Sequence, residues 1–407
     1  MKSFAAVALL LLVGSPSVAL AHASPSRPTH LTRLLCSFRF PVCLHGEAAS
    51  EPAEVTRALQ LVENSLDSLH ILGLPTGLTD RGQGGSWHHD VYLTDSVAGA
   101  TSHPDPRGPD GHFDKSSSFT LLKRPLAKDC RGQSEVTRAV AQAALLRLEP
   151  AGSEGVLAMG SSYIASLLAP CAATEVPAIA DFQRRPDRAI TSGSRHAFAG
   201  SMLFPAFLDH HYGKDTPAGV WTSLYAFSAQ ATPPGETAWK NEPDFFDTLR
   251  LATEANRLNA GDLWLRFAAA RALFTAPGPR SSIDSLPYVG ALGNVRCDWR
   301  VPISSLPRRL APSYPPQVTG AAYLQVDVPP GHTGGMRLTV DWEAGMLMRW
   351  AVVKRDAEGR ELLRHTAPGI VGQSYVILSV VKLDGVSSLL VIGTPTGSDN
   401  RDHPFDP

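Results

Sequence analysis

Apolar side chains recur at helical spacing over two long stretches of the chain. The first runs from Pro52 to Leu72 and is followed by a Gly-rich stretch, Gly73–Trp87. The second, Ser134–Glu149, is apolar over most of its circumference, and its polar residues form one stripe. Since an amphipathic helix lies at a surface and a mostly apolar helix lies inside, we predict a surface helix followed by a buried helix.

Two short segments between these helices predict β-strands. Asp90–Thr94 and Ser118–Leu122 are compact β-type runs, separated by a polar loop rich in Pro, Gly and Asp. Downstream of the buried helix, helical spacing returns and Gly or Pro ends several segments. We predict further helices over Val156–Leu168, His196–Tyr212, Pro217–Gln230, Asp244–Leu258 and Asp262–Phe274.

The apolar pattern changes after Ala276, where a connection rich in Pro, Ser and Gly leads into alternating segments. Such alternation is typical of half-buried strands in antiparallel sheets. We therefore predict an α+β protein, with an α-rich domain over residues 22–300 and an antiparallel β-sandwich domain over residues 301–407. The predicted strands are Ala321–Val328, Met336–Trp342, Met348–Lys354, Glu361–His365, Tyr375–Val381 and Ser388–Ile392.

The N-terminus has the pattern of an export signal over residues 1–21. Lys2 precedes the apolar core Ala5–Val13, and Ala19-Leu20-Ala21 is a small-x-small cleavage site. We expect cleavage near Ala21 and a secreted or periplasmic protein. No later stretch reaches the roughly 18 apolar residues of a spanning helix, so we expect no membrane span. With 37 basic and 38 acidic residues the formal charge is -1, which argues against a nucleic-acid partner.

Five cysteines follow the signal segment, and an oxidising compartment favours their pairing. Cys36 and Cys43 flank a short segment and are placed to staple a hairpin, while Cys130 and Cys171 bracket two predicted helices. We expect these two disulfides, which leaves Cys297 as a structural or unpaired cysteine. A metal site is the alternative, although no two cysteines have the spacing of common zinc motifs.

Motifs for hydrolytic chemistry are weak. The chain lacks a G-x-S-x-G nucleophile elbow. Two histidine pairs are present, His88-His89 and His210-His211, but adjacent side chains point apart on a helix or a strand and rarely bind one ion. Gly213 favours a helix end after the second pair, where imidazoles suit the negative end of the helix dipole. The first pair follows a glycine-rich loop, and a loop-borne metal site stays open there.

The order of predicted elements resembles the core of the gluzincin-type zinc metalloproteases, in particular a secreted family of them common in myxobacteria. Three segments carry the resemblance: Met159–Tyr163, Leu203–Leu208 with Tyr212-Gly213 at the end of its helix, and Val220-Trp221. It covers most of the mature chain and implies a metalloprotease-like fold for the α-rich domain. It also implies an H-E-x-x-H zinc motif on the buried helix, with a glutamate on the next helix as third ligand.

The chain departs from that pattern at every metal-site position. Ala141 and Leu145 stand where the resemblance places the two histidines, Gln142 replaces the glutamate between them, and Met159 replaces the third ligand. Zinc catalysis needs three protein ligands and a general base, and these side chains supply neither. We expect no catalytic residues, no metal and no cofactor, hence a secreted, inactive homologue that acts as a binding or structural module for a protein, polymer or surface ligand. An Ala/Leu helix unrelated to proteases leads to the same expectation about zinc.

Two alternatives stay open at this point. One is a secreted metal-dependent hydrolase with relocated ligands such as His88, His89 and His112. The other is carbohydrate binding by aromatic residues of the C-terminal domain, Tyr323, Trp342 and Trp350, although aromatics at alternating positions more often lie in a core.

Overall fold

The structure is a computed structural model, and it describes residues 26–28, 31, 33–47, 50–80, 82–105, 115–192, 199–213, 216–229, 243–273, 295–343, 345–367 and 369–396. The expected export signal, His112 and the start of the helix predicted at His196 lie outside these ranges.

The N-terminal part contains a five-stranded sheet. Its strands are β1 (Arg33–Cys36), β2 (Val42–Gly46), β3 (His89–Thr94), β4 (Thr101–Pro104) and β5 (Ser118–Lys123), in the order β1-β2-β3-β5-β4. The three central strands are parallel, and the edge strands β1 and β4 are antiparallel to their neighbours. Strands β3 and β5 confirm the two predicted strands.

Two long helices cover one face of this sheet. Helix α1 (Pro52–Ile71) connects β2 to β3, as a parallel pair requires, and α2 (Cys130–Leu148) follows β5. Leu44, Val91 and Leu122 of the sheet share one apolar cluster with both helices. Since neighbouring strand residues point to opposite faces, Asp90 and Tyr92 lie on the other face, away from the helices.

Within the described ranges, six further α-helices follow: α3 (Glu154–Leu168), α4 (Ala172–Arg184), α5 (Leu203–Tyr212), α6 (Gly219–Phe227), α7 (Phe245–Ala255) and α8 (Ala260–Leu273). All but α4 match predicted helices, with ends shifted by a few residues. Helix α4 was not predicted, because Pro177 lies inside it and proline is disfavoured in helix interiors. Helix α3 approaches α6 so closely at Gly160 that a Cβ there would lie 2.1 Å from Nε1 of Trp221.

The C-terminal part is built from strands. They are β6 (Trp299–Pro302), β7 (Ala322–Asp327), β8 (Met336–Asp341), β9 (Met348–Arg355), β10 (Glu361–Ala367), β11 (Tyr375–Val380) and β12 (Ser388–Pro395), with a short 3-10 helix at Ile303–Ser305. They form a five-stranded sheet, β10-β9-β12-β7-β6, and a two-stranded sheet, β11-β8. Only the β6–β7 pair is parallel among these described strands.

Apolar clusters lie on both faces of the larger C-terminal sheet. One contains residues of that sheet together with Leu378 and Val380 of β11. The other joins Tyr323, Ala351 and Ile392 to residues of α8. The predicted mixture of helices and strands, ending in antiparallel strands, is confirmed. The metalloprotease-like character, the β-sandwich and the boundary near residue 300 stay predictions.

Both expected disulfides are present, Cys36–Cys43 and Cys130–Cys171, and Cys297 is a half-buried free cysteine. The first joins residues that face each other on β1 and β2. The second ties the start of α2 to the residue before α4. Two disulfides fit an extracellular protein. Within the described ranges, no helix combines the length and apolar character needed to cross a membrane.

Candidate functional site

The positions that the resemblance assigns to zinc ligands lie in the apolar core between α2 and α3. Ala141, Leu145 and Met159 have 0% exposure and belong to one apolar cluster. Their side chains offer no donor atom except the weak thioether of Met159. The structure therefore brings these three positions together in one core, where apolar side chains occupy the position expected for a zinc ion.

Gln142, the remaining position, connects α2 to the edge strand β4. Its Oε1 accepts a hydrogen bond from the backbone N–H of Ser102 at 2.9 Å and one from Oγ1 of Thr101 at 3.3 Å. Oγ of Ser102 donates in turn to the carbonyl of Ala139 on α2, at 2.7 Å. A buried amide oxygen used in this way holds a strand in place and cannot accept a catalytic proton.

His89, the first residue of β3, and His88, the residue before it, point to opposite sides of the sheet. Nε2 of His89 lies 2.9 Å from Oγ1 of Thr120, on the side of α2, and burial lowers the pKa of His89 to about 4. Nδ1 of His88 lies 3.5 Å from Sγ of Cys43. The structure thus separates these two candidate ligands, and the third, His112, lies outside the described residues.

One group of side chains with metal-ligand atoms does converge. Sγ of Cys36, Sγ of Cys43 and Nδ1 of His88 lie within 4.8 Å of one another. Cys43 is fully buried, whereas Cys36 and His88 are partly exposed. The two sulfur atoms are joined in the Cys36–Cys43 disulfide, so in this state they are not thiolate ligands.

A buried ionic cluster lies on the sheet face opposite the helices. The guanidinium of Arg27 is 2.8 Å from carboxylate oxygens of Asp80 and Asp90 and 2.6 Å from one of Asp105. Its Cζ also lies 5.0 Å from the ring centre of Phe119. The cluster anchors the segment around Arg27, which comes soon after the expected export signal, to the sheet.

Hydrogen bonds from groups other than Arg27 orient two of the carboxylates. Asp80 accepts backbone N–H bonds from Gly82 and Gly84, at 2.8 and 2.9 Å. Asp90 accepts bonds at 2.8 Å from Nε2 of His45 and at 2.7 Å from Oγ of Ser86.

Burial and hydrogen bonds shift the pKa values of charged groups in the cluster. Burial raises the pKa of Asp80. Burial opposes the charge on Asp90 as well, but its bonds from His45 and Ser86 leave its pKa below the ordinary value. For Arg27, burial is outweighed by the bonds to Asp105 and Tyr92, and the pKa is raised. The three carboxylates surround one positive charge, which is the guanidinium of Arg27.

Sequence reasoning missed this cluster. Its members are Arg27, Asp80 in a loop, Asp90 on β3 and Asp105 directly after β4, and they share no local motif. The nearest signal was the glycine-rich loop after Asp80, where Gly82 and Gly84 allow the backbone to wrap around a carboxylate.

The other histidine pair occupies a helix end, as expected. His210 and His211 lie in the last turn of α5, and the N–H of Gly213 donates to the carbonyl of Asp209. Asp209 accepts bonds from the Tyr163 hydroxyl at 2.8 Å and from the backbone N–H of Val220 at 3.0 Å, which joins α3, α5 and α6. Burial raises the pKa of Asp209.

The aromatic residues considered for carbohydrate binding do not form one exposed platform. Tyr323 is buried, and its hydroxyl donates to the carbonyl of Ala268 at 2.8 Å. Trp342 and Trp350 are half-buried with ring centres 6.1 Å apart, and the indole N–H of Trp342 donates to the carbonyl of Met346.

The sequence was compared with protein families and with curated proteins, and neither comparison found a match. No protein-family model matches the chain, and no curated protein is similar to it at a significant level.

Proposed function

We propose that this chain is an exported, catalytically inactive relative of the gluzincin metalloproteases, retained as a binding or structural module. One observation carries the proposal: the positions aligned with three zinc ligands, Ala141, Leu145 and Met159, are packed without exposure in a hydrocarbon core. A zinc ion there would lack ligands and would lose its hydration without compensation.

Two further observations support the proposal. The element order helix, strand, strand, helix and helix, on which the resemblance rests, runs from α1 to α3 with the additional strand β4 inserted. Gln142, aligned with the catalytic glutamate, bonds the strand β4 instead of facing open space. In this proposal the metalloprotease-like fold is retained. Apolar packing occupies the positions of the zinc ligands and a contact with β4 occupies the position of the general base, so the protein does not hydrolyse peptides.

The C-terminal strands offer a surface for the binding role. On β11, Val376, Leu378 and Val380 pack inward, so Tyr375 and Ile377 project outward. Val371, in the preceding loop, is 89% exposed. Tyr375 and Ile377 lie on the same exposed face of β11, and neighbouring exposed apolar side chains are typical of contact surfaces.

The inactive assignment is tested by metal analysis of the purified mature protein without reductant. We expect far less than one zinc per chain and no chelator-sensitive cleavage of unfolded casein. Stoichiometric zinc, or peptidase activity lost on chelation and regained with metal, would overturn the proposal. That outcome would favour the hydrolase with relocated ligands.

The alignment is tested separately by rebuilding the site. A variant with His at Ala141 and Leu145 and Glu at Gln142 and Met159 should bind zinc if these positions correspond to the motif. A variant with the same four residue types placed one position earlier on each helix, at Val140, Ala141, Ala144 and Ala158, is the matched control. Equal zinc uptake by both variants would contradict the alignment.

The binding role is tested by co-sedimentation with peptidoglycan, chitin and cellulose. Binding to one of these polymers should weaken by about tenfold or more in the double variant Tyr375→Ser/Ile377→Thr, because a few central apolar contacts carry most binding energy. Leu251→Ser changes an exposed leucine on α7 and should leave binding unchanged. If the unmodified protein sediments with none of them, peptidoglycan, chitin and cellulose are excluded as ligands of this surface.

A further inference from the structure

We propose that Cys36, Cys43 and His88 form a redox-gated site for one thiophilic transition-metal cation, of which Zn²⁺ is the reference case. In the oxidised state the two sulfurs are joined and the site is closed. After reduction, two thiolates and one imidazole are available on neighbouring segments of the sheet. This site lies away from the α2–α3 core and does not depend on the inactive-protease proposal.

The backbone already fixes the ligand residues. Cys36 and Cys43 face each other across the antiparallel pair β1–β2, and β2 runs parallel to β3, which begins directly after His88. The N–H of His88 also donates to Oγ of Ser86, at 3.1 Å. Because hydrogen-bonded strands hold the Cα positions of Cys36 and Cys43, reduction frees the sulfur atoms without releasing the residues that carry them, and His88 directly precedes a residue that is hydrogen-bonded to Pro41.

One distance already matches the edge of a tetrahedral site. With metal–sulfur and metal–nitrogen bonds of about 2.3 and 2.05 Å, the edge between sulfur and nitrogen of a zinc tetrahedron is about 3.6 Å. Nδ1 of His88 lies 3.5 Å from Sγ of Cys43. The edge between two sulfurs is about 3.8 Å. The sulfurs reach that separation by side-chain rotation after the covalent bond is broken.

The chemistry balances with a dithiol as reductant. The dithiol transfers two electrons and two protons to the Cys36–Cys43 disulfide, which becomes two thiols, while the reductant becomes a disulfide. A divalent cation then displaces both thiol protons and takes the imidazole nitrogen as third ligand. Thiolate ligands favour zinc and other thiophilic metals over Ca²⁺ and Mg²⁺. Partial exposure of Cys36 and His88 gives the cation access.

The test is a Co²⁺ titration of the full mature chain before and after reduction. A phosphine reduces the disulfides and is oxidised to its oxide with water, and the excess is removed. We expect the reduced protein to bind one Co²⁺ with thiolate charge-transfer and tetrahedral visible bands, and the unreduced protein to show none. Zn²⁺ should displace the Co²⁺.

Variants assign the ligands. Cys36→Ser/Cys43→Ser should abolish the bands, and His88→Ala should weaken Co²⁺ binding by at least about tenfold. Cys130→Ser/Cys171→Ser and Cys297→Ser should retain the site, and His70→Ala, an exposed histidine on α1, should bind Co²⁺ like the unmodified protein. Loss of the bands in Cys297→Ser, or no effect of His88→Ala, would overturn the assignment.

Alkylation of the unmodified protein provides a test that does not depend on the folding of a variant. After reduction, Zn²⁺ should protect Cys36 and Cys43 from iodoacetamide at least about tenfold more than Cys130 and Cys171, as read by peptide mass spectrometry. Equal reactivity of all four cysteines with and without Zn²⁺ would refute the site. Zinc found in the unreduced protein would instead count against the inactive-protease proposal, so the two failures are distinguishable.

Discussion

Replacing Arg27 with Met should cost about 3–5 kcal/mol of unfolding free energy at pH 7.5, because it leaves buried carboxylates without their cation. The side chains of Asp80 and Asp90 are 0% exposed and that of Asp105 is 2% exposed. Met preserves the length and packing of the side chain, so the loss reports on charge.

The loss should depend on pH with a definite sign. Without Arg27, burial and the neighbouring Asp90 carboxylate raise the folded-state pKa of Asp80 further above the unfolded value of about 4. A group with a raised folded-state pKa contributes stability below the unfolded pKa and loses it as pH rises through the folded one. The gap between variant and unmodified protein should therefore be largest near neutral pH and shrink towards pH 4.5.

Urea unfolding followed by circular dichroism and tryptophan fluorescence, at pH 7.5 and 4.5, measures this gap. Arg39→Met is the matched control, because the ion pair of Arg39 with Asp67 joins side chains that are 55% and 43% exposed. Exposed pairs contribute about 0–1 kcal/mol. If Arg27→Met loses no more stability than Arg39→Met at pH 7.5, or loses more at pH 4.5, the description of the cluster as a buried charge anchor is refuted.

Three other predictions concern packing, protonation and chain accessibility. Gly160→Ala should destabilise the protein by about 1–3 kcal/mol in thermal unfolding, because its Cβ would overlap the indole of Trp221, whereas Gly99→Ala, which meets no atom within 4 Å, should be near neutral. Burial lowers the pKa of His89 to about 4. The unfolded state therefore takes up a proton first as pH falls from 6.5 to 4, which should cost about 3 kcal/mol, and His89→Gln should remove this part of the acid sensitivity in urea titrations. Limited proteolysis should cut first in the Pro-rich segment Ala311–Val318 and yield a fragment of about 90 residues, and early cuts within the C-terminal strands would contradict that boundary.

Periodicity predicted most elements of the fold because it reports on burial directly. The helix predicted from Pro52 is α1, and the alternating segment from Met348 is β9. Helix α4 and the four-residue strands β4 and β6 were not predicted, because their sequences lack that signal. Helix α4 contains Pro177, and β4 is only four residues long and ends in Pro104. The spacing of Cys36 and Cys43 predicted their disulfide correctly.

Candidate sites were harder to predict than elements, because sites depend on distant residues. Strand alternation indicated that His88 and His89 would separate, and they do. No local pattern linked His88 to Cys43, or Arg27 to Asp90, since the sheet topology creates both contacts. Side chains brought together by parallel strands leave no fixed spacing in the sequence.

Helix α8 couples the unfolding of the helical part to that of the C-terminal sheet, because it packs against both. Leu263, Trp264 and Phe267 pack into the cluster of the helical part, while Leu265 and Ala269 pack against the C-terminal sheet. A nick after residue 310 should therefore leave both fragments associated in gel filtration, with a single cooperative melting transition. A recombinant fragment that begins after α8 would present a bare apolar sheet face to water and should aggregate unless the helix is supplied in trans.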